Sequence, residues 1–368
     1  MTVPYLDCNA STPVDDVVRQ RMGDVLQMTG NASASHASGR AMAALVDDAI
    51  DQVAALTAFS SHEVVVTSGA TEANAIALRG LPDVQHVLVS PLEHASVRQE
   101  MAALQRSGVE VEELRVDVHG RVRLDDLQQK LRPTTSLVSV MGASNLTSVV
   151  QPIEDIADVL DGHDALFHVD GAQLVGKRVD AVPARVDLLT LSAHKFFGPQ
   201  GVGALCIRDR VADVVQPLVV GGGQQDGRRG GTLPVALVVG MGEASRQCLL
   251  QHVERAERCR AFGVDVLRAL DDVGARVLGE ARHRLPHGLC AVFPGVEAEA
   301  AQMLLGSVCE VSLGSACDAG QVTESPALTA MGIGLAQQAS VLRMSWCHLT
   351  DDVDWTRFVD VIRQLQPR

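Results

Sequence analysis

The chain has 368 residues, 46% of them hydrophobic and 21% charged, with a formal net charge of −14. That is enough apolar material for two domains with a full core, and too few charges for a disordered chain. The acidic balance repels phosphate backbones and argues against direct nucleic-acid binding, and with neither a membrane-length apolar run nor a basic leader, a soluble cytoplasmic protein is expected.

Residues 63–68, 86–90, 110–116, 136–141, 165–170, 188–192 and 203–207 read as strands, with helix-length segments at 71–79, 94–106 and 153–160. Continuous apolar strands separated by helices predict an α/β domain built on a mostly parallel sheet covered on both faces. A glycine-rich run at 221–231 breaks the alternation. A long helical stretch, continuous or interrupted, follows from about 235 to 270, then short strands (291–293, 341–345) mixed with helices (297–305, 352–364). The predicted division is a large domain at 13–250 and a smaller α+β domain made of 251–368 with the N-terminal arm 1–12.

Of the 31 basic residues only Lys130, Lys177 and Lys195 are lysines. Arg cannot form a Schiff base, so all three amines draw interest. The eight cysteines are scattered, form no C-x-x-C and no zinc spacing, and read as reduced thiols.

Six segments carry candidate chemistry. In 67–74 (TSGATEAN) a strand, a small polar loop and a helix start could aim N–H groups and a Thr hydroxyl at an anion, or simply form a capping turn. His94, in 91–96, follows a strand and could stack on a flat cofactor and shuttle protons near neutral pH as a catalytic residue, or be structural. Asp170, in 168–173 (HVDGAQ), ends an apolar strand and needs a partner, such as a protonated pyridine nitrogen, unless it caps a helix. Lys195, in 192–199 (SAHKFFGP), follows another buried strand, where ligands of open α/β sheets sit; the alternative is a solvated surface lysine. Cys317 lies among small polar residues in 312–320, an exposed loop thiol that is nucleophilic only beside a base or positive charge, whereas Cys206 and Cys290 read as core. Arg343, inside the apolar strand 341–345, must be paired, with a substrate carboxylate or internally.

Together, in order and spacing, these motifs resemble the cysteine desulfurases of the class V aminotransferase group, which have the type I PLP-dependent transferase fold. The resemblance runs nearly end to end: 5–13 (YLDCNASTP), Gly30-Asn31, His36, Gly39-Arg40, 67–72, Glu93-His94, 168–173, 192–199, 221–232, 314–317 and Arg343. It implies pyridoxal 5′-phosphate (PLP) on Lys195, Asp170 at the pyridine nitrogen, Gln173 at the ring hydroxyl and His94 over the ring. Ala70, Thr71, Ser192 and His194 would bind the phosphate, and Thr232 the phosphate of a neighbouring subunit, which implies a homodimer. Asn145 would contact both the cofactor and the substrate, L-cysteine, and Asn31 and Arg343 the substrate. Cys317 would take its sulfur as a persulfide, leaving alanine; the Gly314–Cys317 loop looks like the subgroup that passes sulfur to acceptor proteins.

The chain also departs from the family. The usual Met-His-x-Asn-Asn-Glu-x-Gly before Val-x-Gln is replaced at 141–151 by MGASNLTSVVQ, which keeps Asn145 but is smaller and more apolar. The family's Asn-Pro is here Asn31-Ala32. Cys8-Asn9-Ala10 is faintly similar to desulfurases of DNA phosphorothioation systems. The implied function is a specialised desulfurase. The alternatives are a cystine C–S lyase, a selenocysteine lyase or an aminotransferase on the same scaffold, or a silent homologue that docks an acceptor.

Overall fold

The computed structural model describes residues 3–179, 182–314, 317–318, 321–322 and 324–367, with backbone alone at 317–318 and 321–322. Seven strands form the main sheet: β1 (Val64–Thr67), β2 (His86–Val89), β3 (Glu110–Glu113), β4 (Thr135–Met141), β5 (Leu166–Asp170), β6 (Leu188–Ser192) and β7 (Gly203–Ile207). Their spatial order is β1-β7-β6-β5-β4-β2-β3. The pairs from β3 through β6 are parallel; β7 runs antiparallel to both β6 and β1. The apolar runs VVVT, HVLV, LLTLS and GALCI are buried at every position, as a sheet covered on both faces requires.

The helices supply that cover. α1 (Asp16–Leu26) and α2 (Ala37–Thr57) pack on the long α7 (Val235–Asp272), while α3 (Ala70–Arg79) packs on α4 (Ala95–Arg106); α5 (Leu124–Lys130) and α6 (Ile153–Val159) complete the connections. One apolar cluster joins Val53, Phe167, Leu189 and Met241, and a second, on the other side of the sheet, joins Ile76, Leu78, Val87 and Leu205.

A four-stranded sheet of order β10-β13-β9-β8 holds the remaining C-terminal part: β8 (Arg276–Val277), β9 (Gly288–Val292), β10 (Ser312–Leu313) and β13 (Val341–Ser345). Between β10 and β13, β11 (Cys317–Asp318) pairs with β12 (Gln321–Val322). The N-terminal arm joins this part through bridges Tyr5–Glu310 and Asp7–Ser345. The C-terminal helix Trp355–Leu365 buries Phe358, Val359 and Ile362 against it.

Most sequence-based elements fall within a residue or two of their observed bounds. The strand placed at 291–293 instead spans Gly288–Val292, set by its pairing with β13. The strand at 110–116 stops at Glu113, after which the chain turns and Val116 bridges Val122. The stretch from 235 is one unbroken helix through Asp272 that crosses position 250. No described helix is long and apolar enough to cross a membrane.

Candidate active site

Met141, Asp170 and Ser192 are the last residues of β4, β5 and β6, three adjacent parallel strands. Their carboxyl ends open into a cavity of about 530 Å³. Open α/β sheets bind ligands at this edge, because loops there can diverge without disturbing the sheet. Of the proposed site residues, Ala70, Thr71, His94, Asn145, Asp170, Gln173, Ser192, His194, Lys195 and Arg343 all line this cavity.

One end of the cavity suits an anion. The turn after β1 brings Ala70 and Thr71 to the start of the ten-residue α3, whose first N–H groups have no intrahelical acceptor. Gly69 precedes them at φ +149, a conformation that side chains rarely adopt. Gly203 on β7 lies so close that a Cβ there would stand 2.8 Å from Gly69 Cα. Glu72 secures the turn by accepting from the Ser68 N–H at 2.6 Å and pairing with Arg229 at 2.7 Å. His194 contacts Ser11 Oγ through Nδ1 at 3.2 Å, and burial pushes its imidazole down to about 4, so it faces the cavity neutral.

Asp170 forms the floor. It is 5% exposed and accepts from Asn74 Nδ2 at 2.9 Å and from the Ala172 N–H at 3.0 Å. Among the described residues it makes no ion pair. A buried carboxylate without a counter-charge is costly, so a cationic ring nitrogen fits this place. Beside it Glu93 is buried, donated to by the Met141 N–H, and its carboxyl is pushed well above the usual range, first by burial and then by Asp170's charge. His168, between Ser139 Oγ and Thr190 Oγ1, is pushed down to about 4 by burial.

Lys195 closes the 3₁₀ turn Ala193–Lys195 that directly follows β6. Its Nζ donates to the carbonyls of Asn9 at 2.8 Å and Ala10 at 2.7 Å. Burial, followed by the charge of Arg343, lowers its pKa to about 8. Phe197, two residues on, is held at φ 69 while its N–H donates to Thr12 Oγ1 at 2.7 Å. Such strain in a bulky residue persists only where the surroundings enforce it. The arm thus pins the lysine turn from both sides.

Gln173 donates from Nε2 to the same Asn9 carbonyl at 2.8 Å, and its Oε1 accepts from Lys177. Arg343 pairs with Asp7 at 2.5 Å and donates to the Asn145 carbonyl at 3.2 Å, while its buried Nε has no hydrogen-bond partner. The internal pairing weighed for it is therefore real, and a donor is left over. His94 caps α4, its Nδ1 accepting from the Ser96 N–H at 3.1 Å; burial lowers its pKa.

Two proposed residues stand apart from the cavity in this chain. Asn31 is exposed and closes its own turn by accepting from the Ser33 N–H at 2.9 Å. Thr232 is also exposed, after the glycine-rich run. The side chain of Cys317 lies outside the described residues. Of the three lysines, Lys130 is spent on Asp126 at 3.0 Å. Asn9, Asn74, Glu93 and Lys177 were not assigned roles from the sequence. Asn74 was findable, since it sits one helical turn beyond Ala70 and Thr71.

The site fits PLP: a helix start with hydroxyl donors at one end, a lysine of lowered pKa, and an unpaired buried carboxylate on the floor. Comparison with known proteins agrees. The aminotransferase class-V family matches residues 4–358. The cysteine desulfurase IscS of Vibrio cholerae is 36% identical over 372 residues, covering 98% of this chain and 91% of the relative. Among solved structures, a NifS-like protein superposes with TM-score 0.89 at 29% identity, covering 99% of this chain and 98% of that one. SspA in complex with cysteine superposes with TM-score 0.83 at 30% identity, covering 93% and 98%. By fold, by the layout of its strand-end cavity and by these relatives, the chain belongs to the cysteine desulfurases of the class-V aminotransferase family.

Proposed function

We propose that this protein takes sulfur from L-cysteine, using PLP carried on Lys195 and the thiol of Cys317. The observation that carries the reading is the placement of the Lys195 amine and the unpaired Asp170 carboxylate in one cavity, at the ends of adjacent strands. Asp170 would pair with the cofactor's ring nitrogen, Gln173 would meet its ring hydroxyl, and His94 would cover its face. Ala70, Thr71, Ser192 and His194 would hold its phosphate. Bound there, PLP supplies an electron sink for the amino acid's Cα.

The chain's own residues do the rest. A lysine with a pKa near 8 is partly neutral near neutral pH, so Lys195 would hold the cofactor and would be able to accept and return the Cα proton. Arg343, already oriented by Asp7 and Asn145, would receive the substrate carboxylate on its guanidinium. The Cys317 thiol then accepts the sulfur: cysteine and one enzyme thiol give alanine and one enzyme persulfide. An acceptor protein would take that sulfur, and Thr232 would reach a second subunit's phosphate site in a homodimer.

The test is incubation of the PLP-loaded protein with L-cysteine, following alanine and the mass of the Cys317 peptide. Alanine with one sulfur added at Cys317 is expected, and Cys317→Ala should yield neither. Full turnover by Cys317→Ala would overturn the reading in favour of a lyase or aminotransferase on the same scaffold.

A further inference from the structure

A second concave surface lies behind the active site, where the large-sheet part meets the small-sheet part. A cleft of about 440 Å³ is walled by the loop before α6, Lys177 and its neighbours, α7 and residues 282–286. That size and position are usual for small-ligand sites. Its lining carries five arginines in a chain of net charge −14: Arg121, Arg178, Arg260, Arg282 and Arg284.

Protein acids answer only part of this charge. Glu154 lies 3.7 Å from Arg178, and Glu280 pairs with Arg282 at 3.0 Å. Arg121 instead donates to the neutral acceptor His283 Nε2 at 3.1 Å, and its buried Nε has no hydrogen-bond partner. Arg284 is half-buried, burial pushes its guanidinium below the ordinary value, and among the described residues its side chain makes no hydrogen bond or ion pair. Guanidinium groups gathered and partly desolvated without counter-charge repel one another, and their planar forks match an oxyanion.

The cleft is backed by the active-site loop. Val150 N–H donates to the His283 carbonyl at 2.7 Å and Leu285 N–H to that of Ser148 at 2.9 Å, tying 283–285 to the turn that carries Asn145. A long acidic chain would bring many charges into the negative field of the whole protein. A compact anion places its charge only against the cleft.

We propose that this cleft binds a compact phosphate-bearing anion, held by the forks of Arg121 and Arg284 with Arg282 at the mouth. The ligand is either a free phosphate anion or the phosphate tail of a nucleotide.

The test is calorimetric titration of the PLP-saturated full chain, in phosphate-free buffer, with inorganic pyrophosphate and separately with ADP. Saturable binding is expected, weakened at least tenfold by Arg284→Gln and by Arg282→Glu. Arg282 has a side chain 73% exposed, so its substitution leaves the fold intact. Arg268→Gln, at a 75% exposed position on α7 away from the cleft, should bind as the parent does. Equal affinities for the two probes assign the site to a free phosphate anion; tighter ADP binding assigns it to a nucleotide. Absence of saturable binding by either probe up to about 1 mM overturns the proposal. So does binding indifferent to both cleft substitutions, or tighter Arg284-dependent binding of a polyglutamate peptide, which would mark a protein-docking groove.

Discussion

Glu93 lies against Asp170 in the buried floor of the active-site cavity, and the two carboxyls resolve their conflict by Glu93 keeping its proton. Two like charges at one desolvated place cannot both persist. Glu93→Gln should therefore fold and load PLP like the parent, since the amide still accepts from the Met141 N–H. Glu93→Ala orphans that N–H and should cost about 1–3 kcal/mol by chemical denaturation. The sign with pH follows from the raised folded pKa. Glu93's contribution is fully present below the ordinary carboxyl range and is lost as pH rises towards the folded pKa. Relative to the parent, Glu93→Gln should gain stability over that rise; a pH-independent difference in Tm would refute the protonated carboxyl.

Lys195 and Arg343 are coupled through charge. The folded pKa of Lys195 is lowered to about 8 from 10.5, so in the apoprotein its burial opposes folding at low pH, and that penalty is relieved as pH rises from about 8 to 10.5. Capture of PLP by the apoprotein should accordingly speed up with a midpoint near pH 8. Arg343→Gln removes a charge that lowers the lysine and frees Asp7, which raises it. The midpoint should move upward by stopped-flow absorbance; an unmoved or lower midpoint would contradict the coupling. Lys195→Ala should lose on the order of 10²–10⁴-fold in turnover through its proton-transfer role, beyond any loss of cofactor.

Gly203→Ala tests the close approach behind the phosphate end. The added Cβ would lie 2.4 Å from the Leu191 carbonyl oxygen and 2.8 Å from Gly69 Cα, both backbone atoms that cannot swing aside. A cost of about 1–3 kcal/mol and weaker PLP retention are expected, measured by urea denaturation and dialysis. Parental stability would mean that the β1 turn has slack that these contacts deny.

Removing the Lys177 amine probes the network behind the ring. Lys177 donates to Gln173 Oε1 and, at 3.3 Å, to Asn9 Oδ1, and burial with the nearby Lys195 charge lowers its pKa to about 7. Lys177→Met should release Gln173 and shift the pH dependence of the loaded protein's visible absorption. An unchanged titration would show that Gln173 is oriented without it.

The sheet was legible because its signal is local. A strand buried on both faces is predominantly apolar, and β1, β2, β6 and β7 read so directly. The edge strand β3, EVEE, carries acids at three of its four positions, and there the far bound was misjudged by three residues. Asp170 and Lys195 were legible for a related reason: each is a charged group at or just past the end of an apolar run. Asn9 was not, because nothing local tells that its carbonyl, far away in sequence, receives Lys195 and Gln173.

The amino-acid sequence alone determined the α/β class, the strand-end residues and the family, since period, burial pattern and motif order are all written along the chain. Tertiary structure decided which groups share a desolvated space: Glu93 with Asp170, Arg343 with Asp7, and Arg121 with Arg284 in the rear cleft. Protonation and pairing depend on distance and dielectric between segments remote in sequence, and those exist only once the chain has folded.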